Sequence, residues 1–296
     1  MVNRRSRSGT LRAARAVPGP ATQPTIDTET VRVNRNLAIV PAYNEAGAVG
    51  ATVAGIRRWA SDFDVLVVDD GSSDATAERA RAAGAMVLAL PFNLGIGGAM
   101  QAGYLYAREH GYEVAVQVDG DGQHDPRHIH DLLERLRSDP ALNMVTGSRF
   151  LDPDAEGYRS SAARRVGIRV FSRVVSRITG HRVSDPTSGF RMTDRRGIEL
   201  FARDYPHDYP EIEAILLMHA HRLNSCEIPV VMRPRTTGTS AISSTQSVYY
   251  MVKVLLAVFV ALFRASPVLP PDPEAPGTGP DAREEDASQL PAEGAT

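Results

Sequence analysis

Val114-Ala115-Val116-Gln117-Val118-Asp119-Gly120-Asp121-Gly122-Gln123 is an apolar run that breaks off into acids, glycines and a carboxamide. Val114 to Val118, apolar at four of its five positions, reads as a buried strand. Alternation along an extended backbone then places Asp119, Asp121 and Gln123 on one side. Hard oxygen donors of this kind suit Mg²⁺ or Mn²⁺, which keep positions open for phosphate oxygens. An isolated pair of aspartates around a glycine reads equally as a solvated turn. Its place at the end of a strand favours a binding site.

Outward from this stretch, strand and helix patterns alternate. Leu37-Ala38-Ile39-Val40 is a first strand, followed by a helix from about Glu45 to Trp59. Val65-Leu66-Val67-Val68 is a second strand, and Asp74 can cap a helix that ends near Gly84. Met86 to Leu90 and Leu142 to Thr146 supply further strands around the Val114–Val118 run. Such alternation implies one α/β, Rossmann-like domain over residues 36–242, with a mostly parallel central sheet covered on both faces. A chain of 296 residues can bury one large core or two small ones. A net charge of -2 argues against a nucleic-acid partner. The single cysteine, Cys226, excludes an internal disulfide and a cysteine-rich metal site, and is expected to be filler in a strand.

Both ends read differently. Residues 1–35 hold Arg4, Arg5, Arg7, Arg12 and Arg15 without apolar periodicity, a disordered basic arm. Arg4-Arg5 lacks the apolar segment that an export signal requires. Residues 266–296 form an acidic, proline-rich tail that is expected to be disordered. Between them, residues 243–265 contain an apolar run from Val248 to Phe263, interrupted by Lys253, opened by Tyr249-Tyr250 and followed by Arg264. As a helix the run spans about 24 Å, short of the ~30 Å hydrocarbon core. Its aromatic and basic fringe suits a membrane-interface helix; the alternative is an ordinary buried one.

In an open α/β sheet, ligands bind beyond the carboxyl ends of the strands. Those ends carry, in order, Pro41-Ala42-Tyr43-Asn44-Glu45, Asp69-Asp70-Gly71-Ser72-Ser73-Asp74, Asn93-Leu94-Gly95-Ile96-Gly97-Gly98, the Asp119–Gln123 cluster and Gly147-Ser148-Arg149. Each alone reads as a loop or helix cap; together they describe a site for a nucleoside diphosphate with a divalent ion. Met100 stands where the dinucleotide fingerprint needs its third glycine, and no phosphate-loop lysine is present. His124, His128 and His130 fail as a zinc site, because Pro126 should start a helix that turns them apart and leaves them helix-start or surface roles.

These segments, with Ser188-Gly189-Phe190-Arg191, resemble the family-2 inverting glycosyltransferases of GT-A fold, nearest the polyprenyl-phosphate sugar synthases of the dolichol-phosphate mannose synthase type. The resemblance spans about residues 37–240. It implies transfer of a sugar from a UDP- or GDP-sugar to a polyprenyl phosphate, with inversion. By that resemblance Pro41, Tyr43, Glu45 and Asp70 hold the base and ribose, and Gly95, Gly97, Asp119 and Gly120 complete the donor site. Asp119, Asp121 and Gln123 bind Mg²⁺ or Mn²⁺. Asp121, Arg149, Arg165 and Arg191 are the expected catalytic residues, the arginines bringing two anions together. Arg233 and Arg235 are further candidates for that task, and Arg164 competes with Arg165. Glu211 and Glu213 lie where relatives that use hydroxyl acceptors place a base. An isoprenoid acceptor implies a peripheral enzyme on the cytoplasmic face of the membrane, beside a small integral membrane protein. The rival readings are a hydroxyl-accepting glycosyltransferase of cell-envelope glycan or glycolipid, a nucleotidyltransferase, and an inactive membrane-docking module of the same fold.

Overall fold

The structure, a computed structural model, describes residues 35–151, 162–207 and 209–233, with main chain only for 162–166. The expected basic arm (Arg35 apart), the helix over 243–265 and the tail over 266–296 lie outside the described residues, as do the side chains of Arg164, Arg165 and Arg235.

Seven strands form one sheet. They are β1 (Asn36–Ala42), β2 (Phe63–Asp69), β3 (Met86–Ala89), β4 (Val114–Gln117), β5 (Leu142–Ser148), β6 (Arg191–Asp194) and β7 (Asn224–Pro229), in the order β3-β2-β1-β4-β6-β5-β7. All pairings are parallel except those of β6, which runs antiparallel to both β4 and β5. The helices are α1 (Val49–Trp59), α2 (Thr76–Ala82), α3 (Gly95–Glu109), α4 (Ile129–Arg137), α5 (Ala162–Thr179), α6 (Arg195–Arg203) and α7 (Pro210–Ala220).

Alternation along the strands sorts the core into two layers, as the pleat requires. Leu37 and Ile39 of β1, with Leu66 and Val68 of β2, join a cluster that holds Met100 and Tyr104 of α3, Phe201 of α6 and Ile215 of α7. Ala38, Val40, Val65 and Val67 face the other way, onto Val53 and Ile56 of α1 and Leu132 and Leu136 of α4. The helices present matching stripes: Val49, Val53 and Ile56 on α1, and Ile129, Leu132, Leu133 and Leu136 on α4. Tyr104, Phe201 and Tyr205 pack ring on ring with centroids 5.1–5.4 Å apart, which locks α3 to α6.

Asp74 does not cap α2 in the manner expected. The helix begins at Thr76, and the Asp74 carboxylate accepts the Thr76 N–H at 3.0 Å and the Ala46 N–H at 3.2 Å. It ties the β2–α2 loop to the β1–α1 loop. The chain turns one way from β1 to β2 and β3, and the other way to β4, so the switch point of the sheet lies between β1 and β4.

Gly103 lets α3 lie against β1: a methyl group there would meet the Ile39 Cγ2 at 2.4 Å. Gly103→Ala should therefore destabilise the fold by about 1–3 kcal/mol through overpacking, more than the ~1 kcal/mol that alanine gains in helix propensity. Urea unfolding measures this, and a midpoint at or above the parent's would contradict the packing.

Candidate active site

The strand ends at the switch point enclose a cavity of about 310 Å³. Pro41, Ala42, Tyr43 and Glu45 line it from the end of β1, Asp70 from β2, and Asn93, Gly95, Ile96 and Ala99 from the β3–α3 connection. Asp119, Gly120 and Asp121 line it from beyond β4. Thus the structure brings together Pro41, Tyr43, Glu45, Asp70, Gly95, Asp119, Gly120 and Asp121, all expected from the sequence.

Each wall is held by hydrogen bonds to the main chain. Asn44 takes a left-handed conformation (φ 53) that asparagine tolerates. Its N–H donates to the Ser72 Oγ at 2.9 Å, while its Oδ1 accepts the Ser73 N–H at 2.9 Å. The buried Asp70 carboxylate accepts the Leu94 N–H at 2.7 Å, which draws the β3–α3 connection onto the second strand. Gly71 permits this approach, since a methyl group there would meet the Phe92 carbonyl carbon at 2.7 Å. The N-terminus of the fifteen-residue α3 then opens on the cavity through Gly95 and Ile96. Such a terminus favours anions through its free N–H groups and dipole.

Asp119 and Asp121 form the acidic wall. The Gln117 Nε2 donates to the Asp119 Oδ1 at 3.0 Å, and the Gln123 N–H donates to the Asp121 Oδ1 at 3.0 Å. His124 is buried beneath them, its ring stacked on Phe190 at 4.9 Å. Its Nδ1 accepts the Asp119 N–H at 3.0 Å, so its ring proton sits on Nε2, which lies 3.5 Å from the Asp119 Oδ2. The three histidines do diverge: His128 meets Asp131 at 2.8 Å and His130 meets Asp62 at 2.9 Å. His124, however, has neither a surface nor a helix-start role; it orients Asp119.

The residues fit a divalent cation. Among the described residues no group of three or more His, Cys, Asp and Glu could hold a metal ion. Two hydrogen-bonded carboxylates on one cavity wall are nevertheless the partial set Mg²⁺ and Mn²⁺ take when phosphate oxygens and water complete the shell. Gln123, the expected third ligand, is not among the cavity-lining residues; its main chain closes the turn instead.

Three other expectations are corrected. Gly97 faces away from the cavity: a methyl group there would meet the Pro206 carbonyl oxygen at 2.4 Å, so it serves the packing of α3 on the 206–207 segment. Arg149 is 8% exposed in its side chain and pairs with the buried Asp185 through Nε at 2.7 Å and Nη2 at 2.8 Å. Arg191 is 2% exposed, and its guanidinium donates to the main-chain carbonyls of Ser188, Pro210 and Glu211. Both arginines hold strand-end loops from within rather than offering their charge to an acceptor. Sequence alone could not separate them from free cations, because Asp185 lies 36 residues from Arg149 and Glu211 lies 20 residues from Arg191.

Glu211, in the first turn of α7, is electrostatically coupled to the acidic wall. Burial pushes its carboxyl above the ordinary value of 4.5; the Arg191 charge and a main-chain hydrogen bond oppose the rise, and the Asp119 charge adds to it. Asp125, just beyond the turn, goes the other way. Its burial works upward, but hydrogen bonds from Arg127 and the charges of Arg233 and Arg127 hold it below the usual carboxylate range. Cys226 lies half-buried in β7, where burial raises its thiol and keeps it a filler rather than a nucleophile.

The comparisons with known proteins agree with this geometry. An undecaprenyl-phosphate mannosyltransferase of Micrococcus luteus is 35% identical over 53% of this chain and 65% of its own length. A polyprenol monophosphomannose synthase of Mycolicibacterium smegmatis is 29% identical over 77% of this chain and 89% of its own. Glucosyl-3-phosphoglycerate synthase from Mycobacterium tuberculosis, solved with Mn²⁺, UDP and glucosyl-3-phosphoglycerate, superposes with a TM-score of 0.59 over 78% of this chain and 81% of that one, at 18% identity. That likeness speaks for the GT-A fold alone. The family model for glycosyl transferase family 2 matches residues 37–201, from β1 into α6, and so takes in every strand end that lines the cavity. By that match over more than half its length, the chain belongs to glycosyl transferase family 2, whose members take their sugar from a nucleotide sugar.

Proposed function

We propose that the protein transfers a sugar from a UDP- or GDP-sugar to a polyprenyl phosphate with inversion, using Mg²⁺ or Mn²⁺ held by Asp119 and Asp121. The observation that carries this reading is the facing of those two carboxylates and the N-terminus of α3 across one cavity at the switch point. The relatives named for undecaprenyl-phosphate and polyprenol-phosphate mannose transfer support the acceptor class. Bound there, the cation stabilises the charge that the leaving diphosphate gains as the glycosidic bond breaks.

The chain's own residues do the rest. Gln117 holds the carboxylate of Asp119 and His124 its main-chain N–H, and Asp70 holds the connection that carries the α3 N-terminus. Pro41, Tyr43 and Glu45 offer the donor's base and ribose a wall. A polyprenyl phosphate has a second pKa near 6, so its attacking oxygen is anionic at neutral pH and needs no strong base. Arg164, Arg165 and Arg235 are the cations left to meet it, since Arg149 and Arg191 are engaged within the fold. A second reading, transfer to a hydroxyl, is favoured by one observation: burial raises the carboxyl of Glu211 above its ordinary value, which makes it a stronger base than a free carboxylate.

The isoprenoid tail of such an acceptor requires approach to a bilayer. Among the described residues no helix is long and apolar enough to cross a membrane. We place the enzyme peripherally on the cytoplasmic face, held by the Val248–Phe263 run and its basic fringe, beside a small membrane protein that handles the glycolipid.

Incubation with polyprenyl phosphate, Mn²⁺ and a panel of UDP- and GDP-sugars, followed by mass spectrometry, should reveal one glycolipid; none with any donor would overturn the reading. Asp121→Asn should lower transfer about a thousandfold or more, and EDTA should do the same. Near-normal turnover of that variant at saturating Mn²⁺ would remove the metal assignment. Glu211→Gln and Glu213→Gln should each retain appreciable activity; a loss of about 10³-fold with donor affinity intact would select the hydroxyl acceptor.

Glu211 also makes stability depend on pH. Its folded carboxyl binds a proton more tightly than its unfolded one, so the wild type loses stability as pH rises from 4.5 through the raised folded value. Glu211→Gln lacks that loss. Its melting temperature relative to the wild type should therefore climb as pH rises above about 4.5; a flat difference would contradict the desolvation of this half-buried acid. Separately, the full chain should sediment with anionic vesicles at low salt, less so at high salt. A chain that stays in the supernatant would overturn the membrane placement.

A further inference from the structure

Beyond β7, the chain does not leave the domain at once. Residues 230–233 run back over the turn that follows β4. The Val231 N–H donates to the His128 Nε2 at 3.2 Å, Met232 bridges His124 in antiparallel fashion, and the Arg233 N–H donates to the Gln123 carbonyl at 2.9 Å. The Arg233 Nη2 meets the Asp125 Oδ1 at 2.9 Å. Asp125 is 1% exposed and also anchors Arg127 through its other oxygen, whereas the side chain of Arg233 is 49% exposed. A surface arginine thus ends a strap whose contacts fall on residues 123, 124, 125 and 128, directly after the acidic wall. Through His124, which takes the Asp119 N–H, the strap reaches the first carboxylate; through Gln123, whose N–H holds the Asp121 Oδ1, it reaches the second.

We propose that Arg233 is a positioning residue, which by its ion pair with Asp125 and its main-chain bond to Gln123 holds the turn that presents Asp119 and Asp121 to the divalent cation. This rests on the metal reading above and gives it a supporting shell supplied by the segment after β7. It departs from the expectation that Arg233 meets an acceptor phosphate: its charge is directed at a buried carboxylate. The sign of the effect separates positioning from simple electrostatics. Arg233 is a cation, so its field opposes a nearby divalent ion, and removing the charge alone should tighten metal binding. Removing a strut should loosen it.

The test is Mn²⁺ binding to the full chain without donor, read from the electron paramagnetic resonance of free Mn²⁺. Arg233→Gln should weaken Mn²⁺ about tenfold, as loss of a supporting partner does, while melting close to the wild type, because the substituted side chain is half exposed. Asp125→Asn should weaken it similarly, and the double variant no further than either alone, the signature of one shared interaction. Arg233→Lys, which keeps the charge and loses the planar fork, should fall between. Arg127→Gln removes a charge from the same carboxylate but leaves the strap seated, and should bind Mn²⁺ at least as tightly as the wild type. If Asp125→Asn fails to fold, Arg233→Gln and Arg233→Lys still decide. Unchanged or tighter Mn²⁺ binding by a folded Arg233→Gln would overturn the inference alone. A wild type that binds no Mn²⁺ would overturn it together with the metal reading.

Discussion

Acids gathered at one sheet edge must be desolvated without being neutralised, and the rest of the site follows from how that is done. Asp69, Asp70, Asp121, Asp125 and Asp185 are all buried. Each accepts a main-chain N–H: from Ser72, Leu94, Gln123, Arg127 and Arg149 respectively, at 2.7–3.2 Å. A neutral donor offsets the desolvation of a carboxylate and leaves its charge in place. The acids that also receive an arginine, Asp125 and Asp185, are not among the cavity-lining residues. The cavity therefore keeps its negative charge, while Asp125 and Asp185, paired with arginines, hold loops.

The strands were legible because a parallel sheet covered on both faces writes itself as short, continuous apolar runs. Leu37–Val40, Val65–Val68 and Leu142–Thr146 lie within β1, β2 and β5 as read. Helix starts were less legible: α1 begins at Val49 rather than near Glu45, after a turn in which the Ala48 and Val49 N–H groups donate to the Glu45 carbonyl. β6 carries no such signature; Arg191-Met192-Thr193-Asp194 is short and mostly polar, and it is a strand because two neighbours already offer their edges.

The cavity itself was legible where a residue's role follows from its place at a strand end, as for Pro41, Asp70, Asp119 and Asp121. It was not legible where the role depends on a distant partner. Arg149 and Arg191 look like any other arginine until Asp185 and the carbonyls of α7 come beside them. Gly97 was expected in the donor site, yet the backbone of Pro206 and His207 is what forbids a side chain there. Chemistry-bearing residue types are written in one place, whereas the partners that decide between binding and bracing are written elsewhere.

The one antiparallel strand has a consequence for the chemistry. A parallel strand at the place of β6 would start at the far edge of the sheet, away from the cavity. Because β6 runs the other way, Arg191 at its start lies opposite Gln117 at the end of β4. The loop before it, residues 184–190, is therefore delivered to the same edge as the acidic wall. Gly189 shows how close the approach is: a side chain there would meet the Gln117 Nε2 at 2.8 Å and the Asp119 carboxylate at 3.4 Å. The half of the sheet that lines the cavity, β1 to β4, is thus closed by a loop whose other end is tied through Asp185 to Arg149 and through Glu227 to β7. In the proposed reaction, donor and acceptor would meet across that seam. Its rigidity comes from buried ion pairs and main-chain hydrogen bonds together with Phe190, which is buried in one apolar layer and stacked on His124.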